Sequence, residues 1–407
     1  MEGSARRKDA LMLERIRGVE LWDGERLRGP VDIRLRADGR DAVVDAVEPA
    51  TSSRYAAIPG LVDTHVHLIG ESTGAPVDFL TWPLVTRPEE RVLHGLANAR
   101  SALAGGVTTV RDLAADDIQF SLRRALDAGV VAGPRLLAHG MVGMTAGHAD
   151  LFTPPAIADR PPVADGPDEC RRLVRRWARA GADGIKIATS GGVLSVGDRA
   201  AWRNHTPDEV AAIVDEAHAL GMRVAAHAHT EEGIRIALDH GVDSIEHGTL
   251  ISAEQAEAVV HRNLPVAPTL LINDRIAEGR GASAEQAAKA AELLERRDAL
   301  LADAARRGVD FVLGTDANGF HVRFGEQMTE VRRMAALFGW AAERALVAAT
   351  SAAARAIGRD DVGRIRPGAK ADLVVLRRHP WEDLDALRVE EIVAVVSRGE
   401  VVAGALS

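Results

Sequence analysis

Short apolar runs alternate, from about residue 105 onward, with stretches in which apolar residues recur every three or four positions. The first pattern is typical of buried strands and the second of amphipathic helices. The predicted strands are GVTTVRDL, PRLLAHG, GIKIATS, RVAAHAHT, SIEHGT, LPVAPTLL and DFVLGTDAN, and IPGLVDTHVHL precedes them. Eight strands alternating with helices predict a (β/α)8 TIM barrel of the α/β class. An open doubly wound sheet is the alternative, but no glycine-rich phosphate turn follows the first strand.

One helix between two of these strands can be predicted in detail. Thr206 is a candidate N-cap, Pro207 suits the first turn, and Glu209 completes a capping box. Gly221 is a suitable end for the helix. The apolar positions that would face the sheet are Val210, Ile213, Val214 and Ala217.

The two ends of the chain have a different pattern, with short alternating strands and frequent turn residues. It covers residues 14–57 and returns in the tail from GAKADLVVL to IVAVVSRGEVVAG. We therefore predict one small β-sandwich domain built from residues 1–57 and 358–407. Between these ends, residues 58–357 would form the barrel.

Composition narrows the class of protein. The chain has 407 residues, of which 46% are hydrophobic and 27% charged, so it can bury a full core. The net charge of -9 comes without a basic cluster interleaved with aromatics, which argues against nucleic-acid binding. Cys170 is the only cysteine, and this excludes an intrachain disulfide. Because no signal peptide or membrane-length apolar run is found, we expect a cytoplasmic protein without a membrane partner.

Histidines are concentrated where the predicted strands end. His65 and His67 are two positions apart, so on a strand they share a face and can bind one ion together. An isolated pair of this kind is more often two hydrogen-bonded surface histidines. Here the same placement recurs at later strand ends, with His227, His229, His247 and Asp316. Imidazole and carboxylate groups meeting at one barrel mouth predict a site for a divalent cation such as zinc.

Lys186 lies in an apolar strand that ends at the same mouth. An ammonium group cannot bind a cation, but a lysine that has reacted with carbon dioxide is an anionic carbamate with two oxygens. A lysine held by a neighbouring carboxylate, or one acting as a general base, is the alternative.

These motifs together resemble the amidohydrolase superfamily along nearly the whole chain. The matching segments are PGLVDTHVHL, TTVRDL, GIKIATSGGVLS, VAAHAHTEEGIRIALDHGVDSIEHGTL, APTLL, GTDAN and GRIRPGAKADLVVL. The sequence is most similar to the imidazolonepropionase-like group, which includes metal-dependent Xaa-Pro dipeptidases of the prolidase type.

The resemblance implies a site with two divalent metal ions, expected to be Zn²⁺. His65, His67 and Asp316 would bind the first ion, and His227 with His247 the second. Lys186, as its carbamate, would bridge both. A hydroxide between the ions would be the nucleophile, and Asp316 would transfer its proton to the leaving nitrogen.

The resemblance also implies a small-molecule substrate in which the amide bond lies next to a free carboxylate. Such substrates are an Xaa-Pro or other Xaa-amino-acid dipeptide, or an N-acyl amino acid. His148 and His229 would bind the carboxylate. Arg111 is a further substrate-binding candidate, although an ion pair with Asp112 or another neighbour explains it equally well.

Three other functions are open at this point. The same site could hydrolyse a neutral carbamate, urea or aromatic amide. A mononuclear deaminase is a second alternative, but Glu231 lies four residues after His227, which fits the deaminase pattern poorly. A scaffold protein is the third, although every expected ligand is present. Relatives often form dimers or larger rings, so a homo-oligomer is also open.

Overall fold

The computed structural model describes residues 12–158 and 160–406, and these form two separate seven-stranded sheets with helices around one of them. The strands are β1 Arg15–Trp22, β2 Leu27–Asp38, β3 Asp41–Pro49, β4 Tyr55–Pro59, β5 Leu61–Val66, β6 Val107–Ala115, β7 Arg135–Met141, β8 Gly184–Ala188, β9 Arg223–Ala228, β10 Ser244–His247, β11 Val266–Ala267, β12 Leu373–Leu376, β13 Ile392–Ser397 and β14 Glu400–Gly404. The α-helices are α1 Trp82–Val85, α2 Pro88–Ala104, α3 Asp117–Asp127, α4 Pro167–Ala180, α5 Pro207–Ala219, α6 Glu231–Asp239, α7 Ala253–His261, α8 Leu270–Ala277, α9 Ala284–Arg306, α10 Gln327–Phe338, α11 Ala342–Ala349 and α12 Ser351–Ala356.

The larger unit is a parallel sheet in which β5 to β11 lie side by side in chain order. Helices follow the strands and cover the outside of the sheet, as parallel connections require. The predicted α/β barrel is confirmed, in the form of a nearly closed ring.

The eighth predicted strand, DFVLGTDAN, closes the ring without forming a regular strand. It makes isolated parallel bridges at Phe311, beside β11, and at Ala317, beside β5. Asp316 has a φ of +56°, a left-handed conformation that a β ladder cannot contain. Its backbone N–H still donates to the His65 carbonyl at 2.8 Å, so the segment stays attached to β5.

The predicted helix after β8 is confirmed as α5. Thr206 is the N-cap, and a capping box with Glu209 is formed. The four apolar positions of the predicted stripe are all buried. Gly221 follows the helix with a φ of +72°, which a glycine adopts without strain.

Strands from both ends of the chain form the second sheet, in the order β14-β13-β12-β4-β1-β2-β3. This confirms that the small β domain is built from both termini, and its strands make one continuous mixed sheet. The predicted strand IPGLVDTHVHL is divided by Gly60, with β4 in the small sheet and β5 in the barrel. A Cβ on Gly60 would lie 2.1 Å from Thr108 Oγ1, so the chain crosses between the units where only glycine fits.

An ion-pair network joins the two units. Arg135 on β7 of the barrel donates from Nε to Asp372 at 2.7 Å and from Nη1 to Asp41 at 2.8 Å, both in the small domain. Among the helices of the described ranges, none has both the length and the apolar character that a bilayer crossing requires.

Candidate active site

The carboxyl ends of the barrel strands bring the predicted ligands together at one mouth. His65 lies on β5, Lys186 on β8, His227 on β9 and His247 at the end of β10, while Asp316 lies in the closing segment. Residues 20 to 251 positions apart in the sequence meet in this way because parallel strands place all their carboxyl ends at one edge.

Two groups of side chains are close enough to hold a metal ion. One consists of His227, His229 and His247, and the other of His65, His247 and Asp316. Within each group the potential ligand atoms lie within 4.8 Å of one another. His247 belongs to both groups. The second group gains His67, whose Nε2 is 3.1 Å from Asp316 Oδ1.

Four rings of the cluster, those of His65, His227, His229 and His247, each have one nitrogen next to a protein group outside the centre, which leaves the other nitrogen free to face the centre. His227 Nε2 is 3.1 Å from the Gly191 carbonyl, and His65 Nδ1 is 2.9 Å from Glu246 Oε2. Two threonines do the same for the remaining rings. The Nδ1–Oγ1 distance is 2.7 Å for both His247 with Thr269 and His229 with Thr249. Such outer contacts set the tautomer and the orientation of metal-binding histidines.

Burial keeps the imidazoles of the cluster uncharged. It lowers the pKa of His65 to about 4 and places the pKa values of His227, His229 and His247 well below the usual range. Burial raises the pKa of Asp316, but the nearby His65, His67 and Lys186 outweigh it and lower this pKa overall. Neutral imidazole and ionised carboxylate are the forms that bind divalent cations.

Lys186 is buried among these groups, with Nζ 3.5 Å from His65 Nε2. Within the described ranges, no carboxylate oxygen lies close enough to Nζ to form a salt bridge. Burial and the charge of Arg111 lower the pKa of Lys186 to about 8, although Glu246 and Asp316 act in the opposite direction. A buried lysine without an adjacent carboxylate fits the carbamate hypothesis better than the ion-pair alternative.

Arg111 lies beneath the cluster, away from the mouth. It donates to the Thr64 carbonyl at 2.6 Å, to Ser244 Oγ at 3.2 Å and to Glu246 Oε1 at 2.8 Å. Its side chain is only 1% exposed. These contacts correspond to the ion pair with a neighbour, with Glu246 as the partner in place of Asp112.

Glu246 is the residue that the sequence patterns missed. Its two oxygens join Arg111 to His65 Nδ1, and it is completely buried. A glutamate inside the apolar strand SIEHGT, directly before His247, was the available signal. Buried carboxylates need a partner, so this residue indicated a cation or a histidine close by.

The backbone is strained at three points around the site. His247, Thr269 and Asp316 have φ values of +71°, +46° and +56°. Non-glycine residues rarely adopt this conformation, and such strain is found mainly at functional sites.

Two predicted substrate residues lie directly beside the cluster. His148, in the loop after β7, stacks on His227 with ring centroids 4.4 Å apart. His229 stacks on His247 at the same centroid distance of 4.4 Å. Because His229 also belongs to a potential ligand group, its contacts suit either a metal ligand or a substrate contact. Glu231, on which the deaminase alternative depends, begins α6 and is exposed, which weakens that alternative.

The donor set fits divalent cations of borderline softness. It offers several neutral imidazoles, four of them oriented by hydrogen-bond partners outside the centre, and one ionised carboxylate. The site assignments stay predictions, but the structure brings all the predicted metal ligands together.

Comparison with known proteins identifies the group to which this architecture belongs. The sequence profile described as "Amidohydrolase family" matches residues 56–403. The chain is 31% identical over 365 residues to ochratoxinase from Aspergillus niger, and the match covers 84% of this chain and 74% of the relative. It is 27% identical over 391 residues to imidazolonepropionase from Anaeromyxobacter sp. (strain K), covering 84% and 81%.

A solved structure is similar over nearly the full length. The crystal structure of a Xaa-Pro dipeptidase with bound methionine in the active site has a TM-score of 0.85 and 30% sequence identity. The similarity covers 95% of this chain and 98% of that one. Both the barrel and the terminal β domain therefore have counterparts in a known hydrolase.

Proposed function

This chain belongs to the amidohydrolase family, and on that basis we propose that it hydrolyses an amide bond next to a free carboxylate. The substrate class comprises Xaa-Pro and other Xaa-amino-acid dipeptides and N-acyl amino acids. The observation that carries the proposal is the convergence of neutral histidines and Asp316 at the barrel mouth, with His148 and His229 stacked against them. The similarity to a Xaa-Pro dipeptidase supports this choice of substrate.

Two divalent cations fit the proposed site. His65, His67 and Asp316 would hold one, and His227 with His247 the other. Lys186 would reach both after carboxylation. Bound cations of this kind polarise a carbonyl oxygen and lower the pKa of water.

The protein groups have separate tasks in the proposed reaction. Asp316, whose Oδ1 lies 3.1 Å from His67 Nε2, would accept a proton and pass it to the leaving nitrogen. His148 and His229 would orient the substrate through its carboxylate. Glu246 and Arg111 hold His65 in position from below.

A substrate panel tests the proposal. Purified protein would be assayed with Xaa-Pro and other dipeptides, with N-acetyl amino acids, and with the C-terminal carboxamides of the same compounds. We expect hydrolysis of the free acids at a kcat/KM at least about tenfold above that of the carboxamides. Activity confined to carboxamides, carbamates, ureas or aromatic amides would replace this substrate class with the neutral one.

A further inference from the structure

His148 is held by a hydrogen-bonded chain that ends on a distant helix. Its Nδ1 is 2.8 Å from Ser195 Oγ, which lies 2.8 Å from each carboxylate oxygen of Asp198. Lys289 on α9 donates from Nζ to Asp198 Oδ1 at 2.9 Å. Ser195 and Asp198 are both buried, and the Lys289 side chain is 11% exposed. We call these four residues the Lys289–His148 chain.

The chemistry of the groups in the Lys289–His148 chain determines which atom donates and which accepts in each hydrogen bond. Asp198 is paired with an ammonium and is therefore an ionised acceptor. A serine hydroxyl has one hydrogen, so Ser195 donates it to Asp198 and accepts with its oxygen from His148. Nδ1 of His148 consequently carries a hydrogen and is occupied. No hydrogen bond to His148 Nε2 occurs among the described residues, so this nitrogen is left for a ligand.

Packing holds the His148 ring in the same orientation. One face stacks on His227, and the edge of the ring meets Phe152 at a centroid distance of 4.9 Å. A Cβ on Gly192 would lie 2.0 Å from the ring, so the ring occupies space that only glycine leaves. The backbone N–H of His148 donates to Asn204 Oδ1 at 2.7 Å.

Lysine is a rare residue type in this protein, which makes its use at position 289 unusual. Only four of its fifty basic residues are lysines, and the rest are arginines. Lys289 Nζ donates to three oxygens, since the carbonyls of Ser195 at 2.6 Å and Asp198 at 3.4 Å also accept from it, and Glu285 Oε1 lies 3.6 Å away. A compact ammonium donates to all three oxygens from one nitrogen, whereas arginine spreads its donors over three nitrogens of a planar group.

We propose that Ser195, Asp198 and Lys289 are positioning residues that orient His148 so that Nε2 faces the carboxylate of the substrate. This inference rests on the proposed function and deepens it, because it identifies what fixes the carboxylate-binding group. The alternative is a purely structural clamp, in which Lys289 only fastens the loop at residues 192–198 to α9.

Kinetics of Ser195 variants separate these two roles. Ser195→Ala removes the hydroxyl from the chain but leaves the Lys289–Asp198 ion pair and the loop backbone intact. We expect KM for the best free-acid dipeptide to rise about tenfold, with kcat within about twofold of the wild type. The kcat/KM for its carboxamide should not change. Ser195→Thr, which keeps a hydroxyl, should restore KM at least in part.

A matched control weakens the contact between α9 and the loop at residues 192–198 at a residue that is not part of the Lys289–His148 chain. Gln286 on α9 donates from Nε2 to the Leu194 carbonyl at 2.7 Å, so Gln286→Ala loosens the attachment of the loop without changing Ser195, Asp198 or Lys289. We expect its KM to equal that of the wild type. If Gln286→Ala raises KM as much as Ser195→Ala does, the Lys289–His148 chain is only a structural clamp and the proposal fails.

Nitrogen-15 NMR of histidine-labelled protein tests the orientation without any substrate. The His148 signals would be assigned with a His148→Gln variant. We expect a protonated Nδ1 in the wild type and a changed pair of ring signals in Ser195→Ala. An unprotonated Nδ1, or identical signals in both proteins, would overturn the proposal. If the wild type shows no preference for free acids, the proposed function fails and this spectrum decides the positioning question alone.

Discussion

Glu246 lies between His65 and Arg111, with Oε2 at 2.9 Å from His65 Nδ1 and Oε1 at 2.8 Å from Arg111 Nη2. All three side chains are almost completely buried. The negative charge of Glu246 therefore balances the guanidinium and also favours a hydrogen on Nδ1 of His65. Nε2 of His65 is then the nitrogen that faces Asp316 and Lys186.

Substitution Glu246→Gln should weaken metal binding although no proposed ligand is changed. The neutral amide keeps the shape but no longer favours the hydrogen on His65 Nδ1. We expect metal affinity to fall by about 10- to 100-fold, as is typical for such outer partners. Competition with a chelator, followed by metal analysis, would measure this. Unchanged affinity in a variant with native circular dichroism would contradict the role of Glu246.

His247 should be the histidine whose loss affects metal content most, because it belongs to both ligand groups. We expect His247→Asn to bind fewer equivalents of metal than the wild type and to lose most activity. His218→Asn is the matched control, since His218 lies on α5 and pairs with Asp243 outside the site. Inductively coupled plasma mass spectrometry gives the stoichiometry. Equal metal content in the two variants would argue against a shared position.

Lys186 should carry a carbamate in the active protein. After exchange into carbon-13 bicarbonate, we expect a carbamate signal in the wild type that is missing from Lys186→Ala. The variant should also lose metal and activity. A fully active, metal-loaded Lys186→Ala would show that this lysine is not a ligand.

Stability should depend on pH through Asp41, which links the small domain to the barrel. Burial raises the pKa of Asp41, but Arg135 and Arg398 outweigh it and hold this pKa at about 2, against an ordinary value of 3.8. Because the folded-state pKa is lowered, ionised Asp41 contributes its full stabilisation at pH values above the unfolded-state pKa. This stabilisation is lost as the pH falls through the folded-state pKa. The shift corresponds to about 2 kcal/mol.

Denaturation of Asp41→Asn at several pH values tests this expectation. The variant should be less stable than the wild type by about 2 kcal/mol above pH ~5, and the difference should shrink between pH ~4 and ~2. Asp239→Asn, at an exposed position on α6, should show little change at any pH. A difference for Asp41→Asn that is the same at pH ~2 and pH ~6 would contradict the ion-pair explanation.

Several parts of the fold and the site could be read from short sequence segments. The two-residue spacing of His65 and His67 predicted neighbouring rings, and His65 on β5 and His67 just after its end have ring centroids 5.4 Å apart. The segment from Thr206 to Gly221 contained every signal for α5. These features depend on neighbours within a few residues, where backbone periodicity alone determines direction.

Contacts between distant segments could not be read in this way. His148 and Ser195 are 47 positions apart, and Arg111 and Glu246 are 135 positions apart. The left-handed turn at Asp316, which interrupts the eighth predicted strand, forms where that segment meets β5. No local pattern contains the partner in these cases, so the pairing becomes visible only when the barrel closes.

The sequence by itself determined the alternating strands and helices, the small β domain from both termini, and the positions of the candidate ligands at strand ends. The tertiary structure decided which nitrogen of each histidine faces the centre, that Arg111 supports the site from below through Glu246, and that His148 is connected to α9. The physical reason is the distance along the sequence over which each kind of interaction acts. Periodicity and capping act over a few residues, whereas the orientation of a buried ring depends on hydrogen-bond partners that only the folded chain brings within 3 Å.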